Sequence, residues 1–222
     1  MVVIVAVTLS FVAMFLKPYQ EANVKTEKIQ NILSSVHIKS DKKNASDLYK
    51  RYITKEYLIK SDGSYKEGNA FDISLKAELK KDINQREMPL YIANINSESY
   101  YIIPLWGRGL WGAIWGYISL GIDMNTVYGS VFDHKSETPG LGAEIANIEF
   151  QEQFISKKIF DEAGQFVSIH IMKGGAPAND IHAVDAISGG TITSNGVNDM
   201  LKENIQFYVK YFMNIKTANN NE

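Results

Sequence analysis

The segment Asp185-Ala186-Ile187-Ser188-Gly189-Gly190-Thr191-Ile192-Thr193-Ser194-Asn195-Gly196 sets the pair Gly189-Gly190 and four hydroxyl side chains directly ahead of a helical stripe. Adjacent glycines let another molecule approach the backbone closely. A helix start offers free N–H groups and the positive end of the helix dipole, both of which favour a phosphate. A phosphate beside Thr191 would therefore be stabilised. The same residues also permit a plainer reading, in which Thr193 or Ser194 caps the helix and the glycines only turn the chain. Residue chemistry alone leaves both open.

Other constellations carry less. His182, Asp185 and Ser188 recur every three residues, but a hydrolytic triad needs groups converging from separate elements around an oxyanion site. His37, His134, His170 and His182 show no metal-ligand spacing, so no metal is expected. Gly107-x-Gly109-x-x-Gly112 matches a dinucleotide fingerprint in form only, because the aromatic, glycine-rich stretch Trp111 to Ile122 does not read as a helix. No side chain is assigned a catalytic acid, base or nucleophile role.

The chain has no cysteine, which excludes disulfide frameworks, thiolate metal sites and cysteine nucleophiles. Redox chemistry would need a borrowed cofactor. With 23 Lys and Arg against 25 Asp and Glu, the net charge of -2 gives no footprint for nucleic acid. At 222 residues and 45% hydrophobic, the chain is long and apolar enough for one cored domain with an appendage.

The elements that must position the glycine-hydroxyl segment follow from periodicity. Val197, Met200, Leu201, Ile205, Tyr208, Tyr211 and Phe212 form a helical stripe within Asn195 to Met213. Leu90 to Ala93 and Tyr100 to Leu105 read as strands from their β-branched and aromatic content, and Gly112 to Ile122 is a further apolar run. A polar helix is expected from about Asn147 to Ile155 and a strand from Phe166 to Met172. Without a regular βαβ repeat, the fold class is α+β: an N-terminal transmembrane helix plus a soluble domain with a largely antiparallel sheet and packed helices.

Met1 to Leu16 carry no charge. As a helix they reach roughly 24 Å against a hydrocarbon core of ~30 Å, so spanning requires bilayer thinning or further residues upstream, and a trimmed start is expected. A cleaved signal peptide is disfavoured, since a basic n-region and a small-x-small site are both missing. The single Lys17 beside the span does not fix its orientation. From Tyr19 to Val36 a helix continues, with Ile29, Ile32, Leu33 and Val36 on one face as a docking stripe. Lys39 to Gln85 is charged, with turn signals at Asp62-Gly63 and Glu67-Gly68-Asn69, and reads as a peripheral layer without chemistry.

Ser188-Gly189-Gly190-Thr191 resembles the Ser/Thr-Gly-Ala-Thr flavinylation motif of bacterial FMN-binding proteins, with Asp185 in the place of an upstream aspartate and Gly190 replacing the alanine. Gly107-Arg108-Gly109-Leu110-Trp111-Gly112, the loop His134-Lys135-Ser136-Glu137-Thr138-Pro139-Gly140-Leu141-Gly142, Ser194-Asn195-Gly196-Val197 and Lys17-Pro18-Tyr19-Gln20-Glu21-Ala22-Asn23 are similar to stretches of the C-subunit family of sodium-translocating NADH:quinone reductases. That resemblance implies FMN joined by a phosphoester to Thr191 through a flavin transferase, with Thr193 the fallback. It also implies cofactor contacts from Ser188, Gly189, Gly190, Ile192, Asp185, Leu110, Trp111, Glu137, Thr138 and Leu141. In residue terms, Trp111 and Leu110 could flank a flat apolar ring, and Glu137 and Thr138 could reach its polar edge or ribityl hydroxyls. Trp111 could equally be a core aromatic and Glu137 a solvated surface carboxylate. Trp106 and Trp115 are assigned to the core or an anchor-facing surface.

The implied layout is a transmembrane anchor over 1–16, a helical stalk over 17–38, a peripheral layer over 39–85, an FMN-binding domain over 86–215 and a flexible tail over 216–222. The resemblance implies an electron relay on the periplasmic side of a bacterial inner membrane, inside a complex that oxidises NADH, reduces ubiquinone and exports sodium ions, with its other subunits as partners. The alternatives are the FMN subunit of an Rnf-type ferredoxin:NAD complex and a flavin-free anchored scaffold.

Overall fold

The computed structural model describes residues 1–219. Val2–Ser34 form one unbroken helix, α1. It is about 50 Å long at 1.5 Å per residue, and it accommodates Pro18 although proline withdraws a backbone donor. Anchor and stalk are thus one element. Its first half is exposed along its length, and α1 is long and apolar enough to cross a membrane. Its far end buries Ile29, Ile32 and Leu33, followed by Val36, as the stripe predicts. The chain then stops in a Schellman turn, with His37 at φ 60° and Ile38 N–H donating to Leu33 O at 3.0 Å.

The remaining elements are α2 (Ala45–Tyr52), β1 (Ile53–Ile59), β2 (Tyr65–Glu67), α3 (Leu75–Glu78), β3 (Met88–Ile95), β4 (Glu98–Arg108), β5 (Ala113–Leu120), β6 (Val127–His134), α4 (Ile148–Glu152), β7 (His170–Met172), β8 (Ala183–Asp185) and α5 (Thr191–Asn219). Six strands form one antiparallel sheet in the order β2-β1-β3-β4-β5-β6; β7 and β8 pair in parallel as a separate ribbon.

Side chains alternate across the sheet as the two-residue strand period requires. Ile59, Leu90, Ile103, Leu105, Ile114 and Ile118 face α5, whose Val197, Met200, Leu201, Ile205, Tyr208 and Phe212 complete the main core. Leu58, Tyr91, Ala93, Ile102 and Tyr117 face the other way, under Ile32 and Val36. Every predicted stripe residue of α5 is buried.

Four expectations change. Residues 39–85 are not only peripheral: β1 lies inside the sheet between β2 and β3. Its run Thr54-Lys55-Glu56 is charged and mostly exposed, whereas Tyr57-Leu58-Ile59 is buried, so charge hides the strand in the sequence. The strand expected over Phe166 to Met172 shortens to β7, with an isolated bridge at Phe166. The helix expected over Asn147 to Ile155 shortens to α4, preceded by a 3-10 turn over Gly142–Ala146. The tail assigned to 216–222 is helical through Asn219, with the Lys216 ammonium over the Phe160 ring at 4.9 Å; residues 220–222 lie outside the described residues.

Three connections meet at one corner of the domain. The β4–β5 hairpin closes tightly, Gly109 N–H donating to Gly112 O at 2.8 Å. The loop after β6 runs into the 3-10 turn, and α5 starts beside both. A Cβ at Gly196 would stand 2.3 Å from Arg108 O, so only glycine lets the first turns of α5 press onto the end of β4.

Candidate cofactor site

α5 begins at Thr191, ahead of both residues that could have capped it. Gly190 occupies the cap position: its carbonyl accepts from Ser194 N–H at 2.9 Å, but it has no side chain with which to satisfy the N–H groups that follow. The Ser194 hydroxyl accepts from Ile187 N–H at 3.1 Å, and the Thr193 hydroxyl donates to Glu137 Oε2 at 2.6 Å. Neither caps the helix. Among the described residues, the N–H groups of Thr191, Ile192 and Thr193 and the Thr191 hydroxyl have no hydrogen-bond partner. The open donors sit at the positive end of a 29-residue helix.

Glu137 is the hinge pin of this corner. Its side chain accepts from Thr193 and, at Oε1, from Trp111 N–H at 2.8 Å, so it ties the β4–β5 hairpin to α5. Its own N–H donates to His134 Nδ1 at 3.2 Å, which makes Nδ1 the unprotonated ring nitrogen. Burial works against the Glu137 carboxylate, but the hydrogen bonds from Thr193 and from the backbone of Trp111, Leu110 and Gly112 outweigh it and hold its pKa below the usual value. Close packing requires small neighbours here. A Cβ at Gly142 would lie 2.3 Å from Thr193 Oγ1 and 2.7 Å from Glu137 Oε2.

Beside this network lies a recess of about 250 Å³. Leu110, Glu137, Thr138, Leu141, Gly142 and the run Gly189 to Thr193 line it. Gly189 holds φ at +73°, and a Cβ there would stand 2.6 Å from Leu141 Cδ2. The glycines thus keep open a cradle that side chains would fill, bordered by unpaired N–H donors. Those features fit a phosphate-bearing cofactor.

Nine sequence-predicted residues line the recess: Thr191, Gly189, Gly190, Ile192, Thr193, Leu110, Glu137, Thr138 and Leu141. Three stand apart from it. The Trp111 side chain is 66% exposed and contributes its backbone N–H to Glu137. Ser188 is exposed on the turn before Gly189. Asp185, on β8, accepts from Ala176 N–H at 2.6 Å and does not line the recess. Sequence reading gave neither Gly142 nor His134 a cofactor role, although both fall inside the quoted loop; Gly142 abuts Thr193 across distant segments, whereas His134 meets the Glu137 N–H only three residues away. The formal triad dissolves, with His182 Nδ1 donating to Lys158 O at 2.6 Å. Trp106 and Trp115 are each partly exposed.

Residues 109–206 match the family model described as the FMN-binding domain. The C subunit of the Na(+)-translocating NADH-quinone reductase from Vibrio vulnificus (strain YJ016) is 33% identical over 209 residues, covering 86% of this chain and 82% of the relative. The same-named protein of Haemophilus ducreyi (strain 35000HP / ATCC 700724) is 31% identical over 207 residues, covering 86% and 80%. Among solved structures, the same-named protein from Parabacteroides distasonis ATCC 8503 aligns with a TM-score of 0.82 at 39% identity, covering 89% of this chain and 96% of that one. Shewanella oneidensis NqrC aligns with a TM-score of 0.72 at 27% identity, covering 88% and 99%. Sequence and fold agree with these relatives over most of the chain, and the chain belongs to the C-subunit family of the Na(+)-translocating NADH-quinone reductase, an oxidoreductase complex.

Proposed function

We propose that this chain carries FMN through a phosphoester to the Thr191 hydroxyl and acts as an electron relay in a membrane-bound sodium-translocating NADH:ubiquinone reductase. The observation that carries the proposal is the contrast between two threonines. Thr191 borders the recess with a free hydroxyl at the open end of α5, whereas Thr193 is 1% exposed and already donates to Glu137. Of the two threonines in the first turn of α5, only Thr191 offers a transferase a free hydroxyl.

The residues divide the labour. Unpaired N–H groups of the first turn would hold the phosphate, and Gly189 and Gly190 admit it to the backbone. At about 250 Å³, the recess is smaller than the ~300–1,000 Å³ pockets that enclose drug-sized ligands. It would take the phosphate and ribityl end and leave the ring over the exposed Leu110, Leu141 and Ile192, with Trp111 at the margin. Bound there, FMN supplies the electron-accepting and electron-donating chemistry that the side chains lack. A phosphoester keeps the cofactor in so shallow a site. The family implies the other subunits as partners and a flavin transferase for maturation; α1 would hold the domain at the inner membrane through residues 1–16, on the periplasmic side.

Peptide mass spectrometry of the chain co-produced with a flavin transferase tests the linkage. The expected result is an FMN adduct on the Thr191 peptide, lost in Thr191→Val and retained on Thr191 in Thr193→Val. An adduct on Thr193, or none in the wild type, refutes it. Protease protection of the domain in spheroplasts would refute the periplasmic placement.

A further inference from the structure

Charge is distributed unevenly about the anchor. Residues 17–52 hold eight Lys and Arg against four Asp and Glu, a net +4 in a chain of net -2; residues 1–16 are uncharged, which leaves -6 on the rest. The aromatic rings of Phe15 and Tyr19 pair at 6.1 Å where the apolar stretch ends, and Tyr19 is exposed. Aromatic residues in that position sit at the membrane–water interface.

Two contacts fix the height of the basic segment above that level. Lys42 Nζ donates to Asn23 Oδ1 at 3.3 Å, and the buried Ala45 packs with Ile29 and Leu33 to hold α2 against α1. Asn23 is one helical turn beyond Tyr19, ~6 Å along the axis, a distance comparable to a headgroup layer of ~5–8 Å per leaflet. Lys42 lies at that level, while α2, packed on Ile29 and Leu33 ~15–21 Å beyond Tyr19, carries Lys50 and Arg51 higher; Lys42, Lys43, Lys50 and Arg51 are exposed, and among the described residues none of them is in a salt bridge. Between the two helices and the loop that holds Phe71 lies a recess of about 250 Å³ whose lining includes Lys25, Ser46, Tyr49, Lys50 and Asp72.

We propose that Lys25, Lys42, Lys43, Lys50 and Arg51 form a collar that binds the anionic phospholipid headgroups around α1. The proposal rests on α1 being the membrane anchor. Four to eight Lys or Arg immediately cytoplasmic of a span are the familiar sequence form of anionic-lipid recognition, and the same attraction acts on the periplasmic side wherever that leaflet carries anionic headgroups. Asp47 on α2 and Asp72 in the recess subtract from the attraction without reversing the net charge. The acidic remainder of the domain is repelled by the same surface, so the collar side turns toward the bilayer.

Because the chain lacks cysteine, a Ser46→Cys variant of the full chain takes a single spin label between α1 and α2. Its relaxation by a nickel-chelating lipid is measured in nanodiscs of phosphatidylcholine, with and without roughly one-third phosphatidylglycerol. The expected result is at least about three-fold stronger relaxation in the anionic discs, lost at about 0.5 M salt, where screening shortens the Debye length. The contrast should also vanish in K42E/K43E/K50E/R51E. Equal relaxation in both disc types overturns the collar. A second label at Phe11→Cys should collide with dissolved oxygen in either disc; a water-exposed label there overturns the anchor itself, which separates the two failures.

Discussion

The C-terminal end of α1 and the N-terminal end of α5 both dock on the sheet, and they are finished in opposite ways. At the end of α1 almost every polar group is answered. The Ser35 carbonyl accepts from Ser119 Oγ at 2.5 Å, the Ser35 hydroxyl donates to Ile32 O at 2.7 Å, and the Schellman turn satisfies Leu33 and Ser34. His37 adopts the left-handed conformation that suits glycine better. It is held by its Nε2 donating to Tyr128 O at 2.8 Å and by an edge-on ring contact at 4.8 Å. At the start of α5 three N–H groups and a hydroxyl are left open, over a glycine cap and beside a recess. A closed end fastens the anchor; an open end waits for a ligand.

The sharpest way to break the contrast is to close the open end. Gly190→Asp puts a carboxylate at the cap position, and Ile187→Ala removes its nearest obstacle, Ile187 Cγ2 at 2.9 Å from a Cβ there, leaving Ile187 Cβ at 3.1 Å and Gly142 N at 3.3 Å. Together they should stabilise the helix start yet reduce the FMN adduct by at least about ten-fold, because the carboxylate takes the phosphate's donors and repels it. Intact-mass spectrometry reads the loss; an unchanged adduct would mean that the open donors are irrelevant. Next in size, Gly142→Ala drives a methyl into the Glu137–Thr193 pair and should cost about 2–3 kcal/mol in urea unfolding.

Glu137→Gln should cost about 1–2 kcal/mol near neutral pH, since charge-assisted bonds become neutral ones. Its pH signature follows from a folded pKa held below the ordinary 4.5. The wild type has this contribution in full above that value and loses it as pH falls through the lowered one, whereas the variant lacks that dependence. Unfolding free energies compared at about pH 7 and about pH 3.5 measure it. Smallest is His37→Ala, at about 1 kcal/mol, through loss of the Tyr128 contacts. It should leave the adduct unchanged, and a fall in adduct would show that the two helix ends are coupled.

The sequence exposes this architecture unevenly. The α5 stripe and the strands β3, β4 and β5 are legible because apolar periodicity reports burial directly. β1 and β6 are not, since Lys55, Glu56, Ser130 and Asp133 dilute their apolar content and only neighbouring strands make them strands. In the site, the glycine-hydroxyl run announces a helix start, but the choice between capping and phosphate turns on where α5 begins, a matter of three residues. The Thr193–Glu137 hydrogen bond spans 56 residues, and nothing local in either segment signals it. Trp111 illustrates the converse: its ring is the conspicuous feature of the sequence, while its backbone N–H makes the contact.

The unbroken run of α1 into its docked end also sets a helical phase. With no joint between the apolar stretch and the sheet, each residue inserted between Lys17 and Lys28 would turn the domain by ~100° about that stretch and lift it by ~1.5 Å. Seven insertions would return it to within about 20° of its first bearing while raising it by ~10 Å. Altitude can therefore be changed with the azimuth nearly kept, and the length of this stretch fixes which way the recess beside Thr191 looks relative to the apolar half of α1.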